Sequence, residues 1–399
     1  MTFIYLVLHR IAVFMLGVVQ KFLSIPGQVL FAGKGSSEQL ARHVVRLGHR
    51  NVLVVTDQVL ADLGMAGELI DHVEQAGGQA TLFSGVLPDP TTDIVEAGVA
   101  VYHADNCDGV IALGGGSSID AAKGIAASAT NGPVHGLVGI LKIKQAPAPL
   151  FAIPTTAGTG SEATFAAVVS DSATHKKGFL VDMKLIPQGV SLDPALMVGM
   201  PPAVTAATGV DALTHAIETY IGRWADEQVK RLSGAATQMI FDQLPRAYRD
   251  GTDLEAREQM ALASYYAGQS INIASVGTVH AIAHQFGGVY GTPHGMANAV
   301  TLPYVLDSYV DTHPQALAEL GGLVGLAEPG LSDMQVAVKF VAAVRSLLAE
   351  VGLEPTLPAL QRSDFSQIVD DSFRECLQYP VPRFLPKSEI ETILGKIAS

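Results

Sequence analysis

The chain has 399 residues, 48% of them hydrophobic, which is enough apolar material for the cores of two domains of ordinary size. Its 38 acidic residues outnumber its 25 Lys and Arg, and the resulting formal net charge of −13 argues against a nucleic-acid partner, whose phosphates would be repelled. Its two cysteines, Cys107 and Cys376, are too few for a disulfide framework or a Cys-based zinc site. We therefore expect a cytoplasmic globular protein with a small-molecule partner.

The N-terminal segment, MTFIYLVLHRIAVFMLGVVQKFLS, is an apolar run with a few polar interruptions. No small-residue cleavage site follows it, so a secretory signal peptide is not expected. At 100° per residue the polar positions share about one third of the helical circle, which predicts an amphipathic helix over residues 1–25. Three alternatives stay open: packing on the body or on another subunit, lying in a membrane surface through residues 1–23, or spanning a membrane. The polar positions are His9, Arg10, Gly17, Gln20 and Lys21.

Residues 26–187 alternate short β-branched apolar runs with helical patterns. The strand-like runs are NVLVVTD, QATLF, GVIALGG and LFAIPTT, and the helical patterns include VLADLGMAGELIDHVEQAG, TTDIVEAGVAVYHADN and SSIDAAKGIAASA. Strands that alternate with helices of this length predict a parallel sheet covered on both faces. We expect an α/β domain with a Rossmann-like parallel sheet over residues 26–196.

The pattern changes after the segment SLDPALMVGMPP. Beyond Pro201 the sequence has long alanine-rich helical patterns, such as AVTAATGVDALTHAIETYI, and hardly any strand-like run. This composition predicts an all-α domain over residues 197–399.

The segment GVIALGGGSSIDAAKG places Gly114, Gly115 and Gly116 after a buried strand and Ser117 at the start of a helix. Glycines let the backbone approach a phosphate closely, and a helix N-terminus offers it free N–H groups and a positive dipole end. The segment does not follow the G-x-G-x-x-G pattern, so a purely structural turn is the alternative interpretation.

Two further strand ends favour a dinucleotide. Asp57 ends the run NVLVVTD, and an acidic side chain there can accept a hydrogen bond from a ribose 2′-hydroxyl while repelling a 2′-phosphate. Thr155 and Thr156 follow the run LFAIP and lead into a glycine-bearing loop. The carboxyl ends of parallel strands meet at one edge, so these groups predict an NAD site.

Two histidine-bearing segments predict a metal site. Asp211 and His215 are four residues apart in GVDALTHAIE and so share a helix face, and His280 and His284 repeat that spacing. His294 follows after a turn rich in glycine. One carboxylate with two or three imidazoles suits Fe(II) or Zn(II), and spacing does not decide whether His280 or His284 is a ligand. Histidines buried in an apolar core are the alternative.

Between Arg257 and Lys339 the chain contains no Lys or Arg. This stretch therefore offers no cation for a substrate phosphate or carboxylate, and we expect a substrate that is uncharged at its reacting end. A divalent ion held by one carboxylate and neutral imidazoles is a Lewis acid for an alcohol or carbonyl oxygen. With NAD, this predicts hydride transfer from a metal-bound alkoxide.

The segments GGGSSIDAAK, IPTTAGTGSE, GVDALTHAIE and VHAIAHQFGGVYGTPHGMANAVTLP, with the dipeptide Asp193–Pro194, resemble the signatures of the iron-containing (group III) alcohol dehydrogenases. The resemblance runs from about residue 26 to the C-terminus. It implies the two-domain architecture of dehydroquinate synthase and a metal held by Asp211, His215, His280 and His294. It leaves His284 as a non-ligand for proton relay.

The resemblance also implies a set of cofactor-binding residues. Ile271, Ile273 and Phe286, near the histidines in sequence, favour primary, aliphatic alcohols and aldehydes as substrates, and we expect a homodimer or larger homo-oligomer. The segment CLQYPVPRFLP departs from the family by lacking the Asn of an NPR segment, which leaves the exact alcohol open. The cofactor-binding residues implied for NAD are Asp57, Gly114, Gly115, Gly116, Ser117, Asp120, Thr155, Thr156, Thr164 and Lys177.

Three other functions remain as alternatives. A metal- and NAD-dependent lyase of the dehydroquinate synthase type shares the fold, but it needs several cations for its substrate. Maleylacetate reductases share the fold too and resemble the metal segment less. A scaffold protein attached peripherally to the inner face of the membrane, with a vestigial site, would use the N-terminal helix.

Overall fold

The structure, a computed structural model, describes residues 25–174 and 176–398 together with Arg10, Val13, Met15 and Gly17. The helix predicted over residues 1–25 therefore lies for the most part outside the described residues. Among the residues that are described, no helix combines the length and the apolar character that crossing a membrane requires.

The chain forms two compact units. The sheet unit consists of Ile25–Met200 and Gly251–Tyr265, and the helical unit contains Pro201–Asp250 and Tyr266–Ser399. The short segment Gly251–Tyr265 thus groups with the sheet unit although the chain has already entered the helical unit before it.

The sheet unit is built on six parallel strands in the order β1-β9-β6-β4-β2-β3. Successive side chains of a strand point to opposite faces, so Val54 packs in one apolar cluster and Val55 in the other. Both faces are covered, as the continuous apolar runs predict. The strands of this sheet are β1 Val29–Ala32, β2 Asn51–Asp57, β3 Gln79–Val86, β4 Gly109–Gly114, β6 Leu150–Pro154 and β9 Gly189–Leu192.

Helices of the sheet unit connect these strands. The single helical pattern that begins after Asp57 is two helices, because Gly64 has a φ of +81°, a left-handed conformation that glycine adopts without strain. The connecting helices are α1 Ser36–Arg46, α2 Gln58–Asp62, α3 Met65–Gln75, α4 Thr92–Ala104 and α5 Gly116–Asn131.

A second, three-stranded sheet was not predicted. It has the order β5-β8-β7, with β5 Gly139–Ile140, β7 Ala166–Ser170 and β8 Lys177–Val181, and β7 pairs with β8 in antiparallel register. These strands have at most five residues each, and such short runs carry little periodic signal until their partners are known.

Among its described residues, the helical unit consists of helices and connecting loops and has no β-strand. Helix α6 is buried along nearly its whole C-terminal half, which explains its continuous small and apolar sequence. The predicted fold class, a parallel α/β domain followed by an all-α domain, is confirmed. The helices are α6 Pro202–Ile221, α7 Glu227–Arg249, α8 Leu254–Ala274 (which begins in the sheet unit), α9 Thr278–Tyr290, α10 His294–Val310, α11 Pro314–Leu323, α12 Asp333–Glu350, α13 Phe365–Cys376 and α14 Lys387–Ile397.

Candidate functional site

Helices α6, α9 and α10 bring four potential metal ligands together. Asp211 and His215 lie one turn apart on α6, His280 is on α9, and His294 is the first residue of α10. One ligand atom from each residue lies within 4.8 Å of all the others. His284 is not a member of this group, although its ring lies beside those of His280 and His294.

Two glycines, one at the end of α9 and one at the start of α10, position His294. Gly291 ends α9 with a φ of +65°, so the chain reverses before Pro293 and presents His294. A Cβ atom at Gly295 would lie 2.2 Å from the carbonyl oxygen of Ala207 on α6. Only a residue without a side chain allows α10 to approach α6 this closely.

Three of the distances test the fit of a metal ion. Asp211 Oδ1 lies 3.8 Å from the Nε2 atoms of His215 and His280, and 3.4 Å from Nε2 of His294. Ligands about 2.1 Å from a tetrahedral ion are separated by about 3.4 Å. The donor set and its spacing therefore fit a divalent ion that prefers nitrogen and oxygen ligands.

The charges at this centre favour a cation. Burial raises the pKa of Asp211, but the neighbouring histidines outweigh it and hold the pKa far below its usual value, so the carboxylate stays ionised. Burial lowers the pKa of His280, but the carboxylates of Asp211 and Glu218 raise it to about 9. An ion that binds Nε2 of His280 therefore displaces a proton.

Glu218 is a functional candidate that sequence reasoning missed. Its carboxylate accepts a hydrogen bond from Nδ1 of His280 at 2.6 Å and two more from the backbone N–H groups of Gly277 and Val279 at 2.9 and 2.6 Å. It thus satisfies the first turn of α9 and directs Nε2 of His280 toward the other ligands. The available signal was its position, seven residues after Asp211 and hence on the same face of α6.

Asn298 is a second missed residue. Its Nδ2 donates to Asp211 Oδ1 at 2.6 Å and lies 3.3 Å from the Nε2 atoms of His280 and His294. Its Oδ1 is buried without a hydrogen-bond partner. Asn298 thus places an amide N–H donor, and not its amide oxygen, against the carboxylate and the imidazoles of the candidate centre.

His284 faces a different partner. Its Nδ1 hydrogen-bonds to Oε1 of Glu375 on α13, and its ring stacks on that of His294 with centroids 5.4 Å apart. Its side chain retains 25% of its exposure, whereas that of His280 retains 2%. His284 is therefore the more accessible of the two histidines on α9.

In the sheet unit, three of the predicted cofactor groups lie at the ends of three neighbouring strands. Strands β2, β4 and β6 are adjacent and parallel, so Asp57, Gly114 and Thr155 come together at one edge of the sheet. After β2 the chain continues to β3, which lies on one side of β2. After β4 it continues to β6, which lies on the opposite side of β4. The crevice between the ends of β2 and β4 is thus a topological switch point, where open α/β sheets bind ligands.

The glycine loop packs against the loop that follows β6. Cβ atoms at Gly115 and Gly116 would lie 3.3 Å from Thr156 and 2.8 Å from Thr159. Gly114 has a φ of +146°, and no side chain caps the start of α5. The loop therefore exposes the backbone N–H groups of a helix N-terminus to an incoming anion.

Two charged residues that the sequence predicts as cofactor contacts, Asp57 and Lys177, have hydrogen-bond partners within the sheet unit. Asp57 accepts a hydrogen bond from the backbone N–H of Leu60 at 3.0 Å and so caps α2. Lys177 at the start of β8 donates to Asp89 at 3.0 Å, and both side chains are largely exposed. Each of the two side chains thus already has a hydrogen-bond partner.

Asp120 and Thr164 belong to a buried network centred on Lys123. Asp120 accepts from Ser161 Oγ at 2.6 Å and from the backbone N–H of Val168 at 3.0 Å. The Lys123 ammonium donates to the carbonyl oxygens of Ser161 and Thr164 and to the Thr164 hydroxyl, at 2.7, 2.8 and 3.0 Å. Burial lowers the pKa of Lys123 to about 8. Lys123, which sequence reasoning missed, holds the loop after β6 in place.

Comparison with known proteins covers nearly the whole chain. Residues 26–194 match the sequence model of iron-containing alcohol dehydrogenases, and residues 205–398 match the C-terminal model of the Fe-containing alcohol dehydrogenase family. The NAD-dependent methanol dehydrogenase of Bacillus methanolicus is 34% identical over 376 residues, which are 94% of this chain and 98% of that protein.

Two further matches involve enzymes named for 1,3-propanediol. The 1,3-propanediol dehydrogenase of Klebsiella pneumoniae is 36% identical over 370 residues, 92% of this chain and 96% of that protein. The crystal structure of a 1,3-propanediol oxidoreductase superposes with a TM-score of 0.90 at 35% identity, over 94% of this chain and 100% of that one.

Proposed function

Because this chain belongs to the iron-containing alcohol dehydrogenase family, we propose that it is an NAD-linked, metal-dependent oxidoreductase that interconverts primary aliphatic alcohols and aldehydes. The family predicted from the motifs, and with it the enzyme class, is confirmed. The observation that carries the proposal is the four-ligand cluster on α6, α9 and α10, whose spacing fits a divalent ion.

Asp211, His215, His280 and His294 would hold Fe(II) or Zn(II). When bound, such an ion supplies Lewis acidity, which makes an alcohol proton easier to remove and polarises an aldehyde. The carboxylate of Glu218 keeps the Nδ1 proton on His280, so that Nε2 is the nitrogen offered to the ion. His284 carries the alcohol proton toward solvent, and its partial exposure supports that role.

The NAD pyrophosphate is bound by the backbone of Gly114, Gly115, Gly116 and Ser117 at the start of α5. The other cofactor contacts come from the neighbouring strand ends and from the loop after β6. Asp57 selects NAD over NADP through the ribose hydroxyl, and Lys177 reaches a ribose. Thr155 and Thr156 line the site, while Asp120 and Thr164 act through the Lys123 network that shapes it.

The substrate is an uncharged primary alcohol or the corresponding aldehyde. The relatives named above act on methanol and 1,3-propanediol, which have primary hydroxyls and no charge. The absence of Lys and Arg from residues 258–338 agrees with this substrate class, and it disfavours the lyase alternative.

Metal analysis of anaerobically purified protein, followed by an NAD(H) assay over aldehydes of increasing chain length, tests the proposal. We expect about one equivalent of iron or zinc, aldehyde reduction that a chelator abolishes, and weak activity on carboxylated aldehydes. Metal-free protein with full turnover, or no turnover of any aldehyde by metal-loaded protein, would falsify it.

We further propose that the enzyme works in the cytoplasm as a homodimer or larger homo-oligomer, with residues 1–23 in contact with a membrane surface. The apolar face of the N-terminal sequence supports that contact. Deletion of residues 1–23 is expected to release the protein from membranes without changing turnover. A shift in sedimentation instead would assign the segment to subunit contact.

A further inference from the structure

Glu375 and His284 form a hydrogen-bonded pair that joins α13 to α9. The contact is made by Oε1 of Glu375 and Nδ1 of His284, which are 91 residues apart in the chain. The side chains of Glu375 and His284 retain 22% and 25% of their exposure, so both are partly shielded from solvent. Glu375 directly precedes Cys376, in the segment where the sequence departs from the family pattern.

Two further donors hold the Glu375 carboxylate in place. The Tyr379 hydroxyl donates to Oε1 at 2.7 Å, and Nε2 of Gln285 donates to Oε2 at 2.9 Å. Burial and the charge of Glu375 raise the pKa of Tyr379 well above its usual value, so this hydroxyl remains a donor. Both carboxylate oxygens are therefore engaged, and the carboxylate has one defined orientation.

The orientation of the carboxylate decides which nitrogen of His284 carries a proton. A carboxylate accepts hydrogen bonds and donates none, so Nδ1 of His284 must be the protonated nitrogen of the neutral ring. Nε2 is then left with the lone pair and is the atom that can take up a proton. The stacked ring of His294 lies 5.4 Å away and limits how far the His284 ring can turn.

We propose that Glu375 is a positioning residue that holds His284 in the Nδ1-protonated tautomer, so that its Nε2 receives the proton released by the alcohol. This inference rests on the proposed function, because it presumes that His284 carries that proton. In the oxidation direction the proton leaves the alcohol oxygen for Nε2, and the electron pair of the C–H bond leaves with the hydride that reduces NAD. The alcohol is oxidised to the aldehyde, and the proton then passes from His284 to water.

The competing explanation is that the pair is only a clip between α9 and α13. Tyr379→Phe and Glu375→Ala together separate the two explanations, because Tyr379→Phe removes one donor to Glu375 and leaves the bond to His284 in place, whereas Glu375→Ala removes that bond. If the pair is only a clip, kcat in each variant falls no further than its stability does. A positioning residue would affect kcat in Glu375→Ala far more than in Tyr379→Phe.

Steady-state kinetics on metal-loaded protein test the proposal. We expect Glu375→Ala to lower kcat by about 10–100-fold, by analogy with the loss that follows when the outer partner of a metal-ligating histidine is removed. The KM for NAD and the metal content should stay unchanged, as they should in the exposed control Glu391→Ala. Glu375→Gln should recover most of kcat, because its amide oxygen still accepts from Nδ1. Glu375→Ala should add nothing to the loss in His284→Ala, because the two side chains act as one unit.

Nitrogen-15 NMR of the histidine rings in the zinc-loaded protein gives a readout that does not depend on turnover. We expect His284 protonated at Nδ1 in the unaltered chain and a mixture of tautomers in Glu375→Ala. Protonation at Nε2 in the unaltered chain overturns the proposal. Full kcat in Glu375→Ala with a large loss in His284→Ala also overturns it while sparing the proposed function. No turnover by the unaltered chain, with Nδ1 protonated, refutes the proposed function instead.

Discussion

The candidate metal centre offers side-chain atoms from α6, α9 and α10, whereas the proposed cofactor site at the ends of β2, β4 and β6 offers mostly backbone N–H groups of glycines. The first arrangement needs particular side chains at four positions, and the second needs side chains to be absent. A metal ion requires donor atoms at fixed distances, while a pyrophosphate requires close approach to the backbone.

The two regions should therefore tolerate different substitutions. The metal centre should be sensitive to the removal of atoms, and the glycine loop should be sensitive to their addition. Gly295 is an informative exception, since it is a glycine on which the metal centre depends. Substitutions in both regions test this expectation.

The largest effect is expected from His280→Ala. Loss of one of four ligands should reduce metal affinity by more than the roughly 10–100-fold that removal of an outer partner costs. Metal content and turnover of the purified variant measure this loss, with the exposed His103→Ala as the matched control. Unchanged metal content and turnover would show that the ligand assignment is wrong.

Glu218→Ala should have the next largest effect. It removes the acceptor of all three N–H groups that now donate to Glu218, including that of the His280 ring. Metal affinity should fall about 10–100-fold. Competition with a chelator measures the affinity, and the exposed Glu391→Ala serves as control. A variant that binds metal as tightly as the parent contradicts the orienting role of Glu218.

Gly295→Ala tests the exception. The new methyl group would meet the Ala207 carbonyl at 2.2 Å, which forces α10 away from α6. We expect the free energy of unfolding to fall by about 1–3 kcal/mol, the usual cost of overpacking, and metal content to fall with it. Gly288→Ala on α9 has open space and should be neutral or stabilising. Thermal unfolding and metal analysis of both variants measure these effects. If the two variants behave alike, the close approach of α10 to α6 does not depend on Gly295.

Gly116→Ala should have the smallest effect. Its methyl group would lie 2.8 Å from a methyl group of Thr159, a side chain that can give way. The Kd for NADH should rise about fivefold, which corresponds to about 1 kcal/mol. Fluorescence titration measures the Kd, and Gly67→Ala, which meets nothing within 4 Å, is the control. Tighter NADH binding by Gly116→Ala contradicts a close approach of phosphate to this loop.

Local patterns predicted much of the fold. Buried runs such as Asn51–Asp57 and Gly109–Gly114 carry a strand signal in their own residues, and both are strands of the parallel sheet. The break at Gly64 and the short strands β7 and β8 were not predicted. The helix break depends on one backbone conformation, and the strands depend on pairing with each other.

Some features of the candidate site were likewise predictable from local patterns, and others were not. The spacing of Asp211 and His215, and of His280 and His284, is enough by itself to indicate shared helix faces. The assignment of ligands and cofactor contacts stays a prediction. The contacts of Glu218 were not predictable from spacing, because its partner His280 lies 62 residues away. Sequence periodicity reports which residues share a face, and it does not report which faces meet.

The three hydrogen bonds of Glu218 connect the metal centre to the local opening of α9. Two of them hold the backbone N–H groups of Gly277 and Val279, and the third holds His280, a proposed metal ligand. Fraying of this first turn and release of His280 are therefore a single event. Amide hydrogen exchange at Val279 should consequently slow as metal is added, which would let metal occupancy be followed residue by residue in protein that is not turning over.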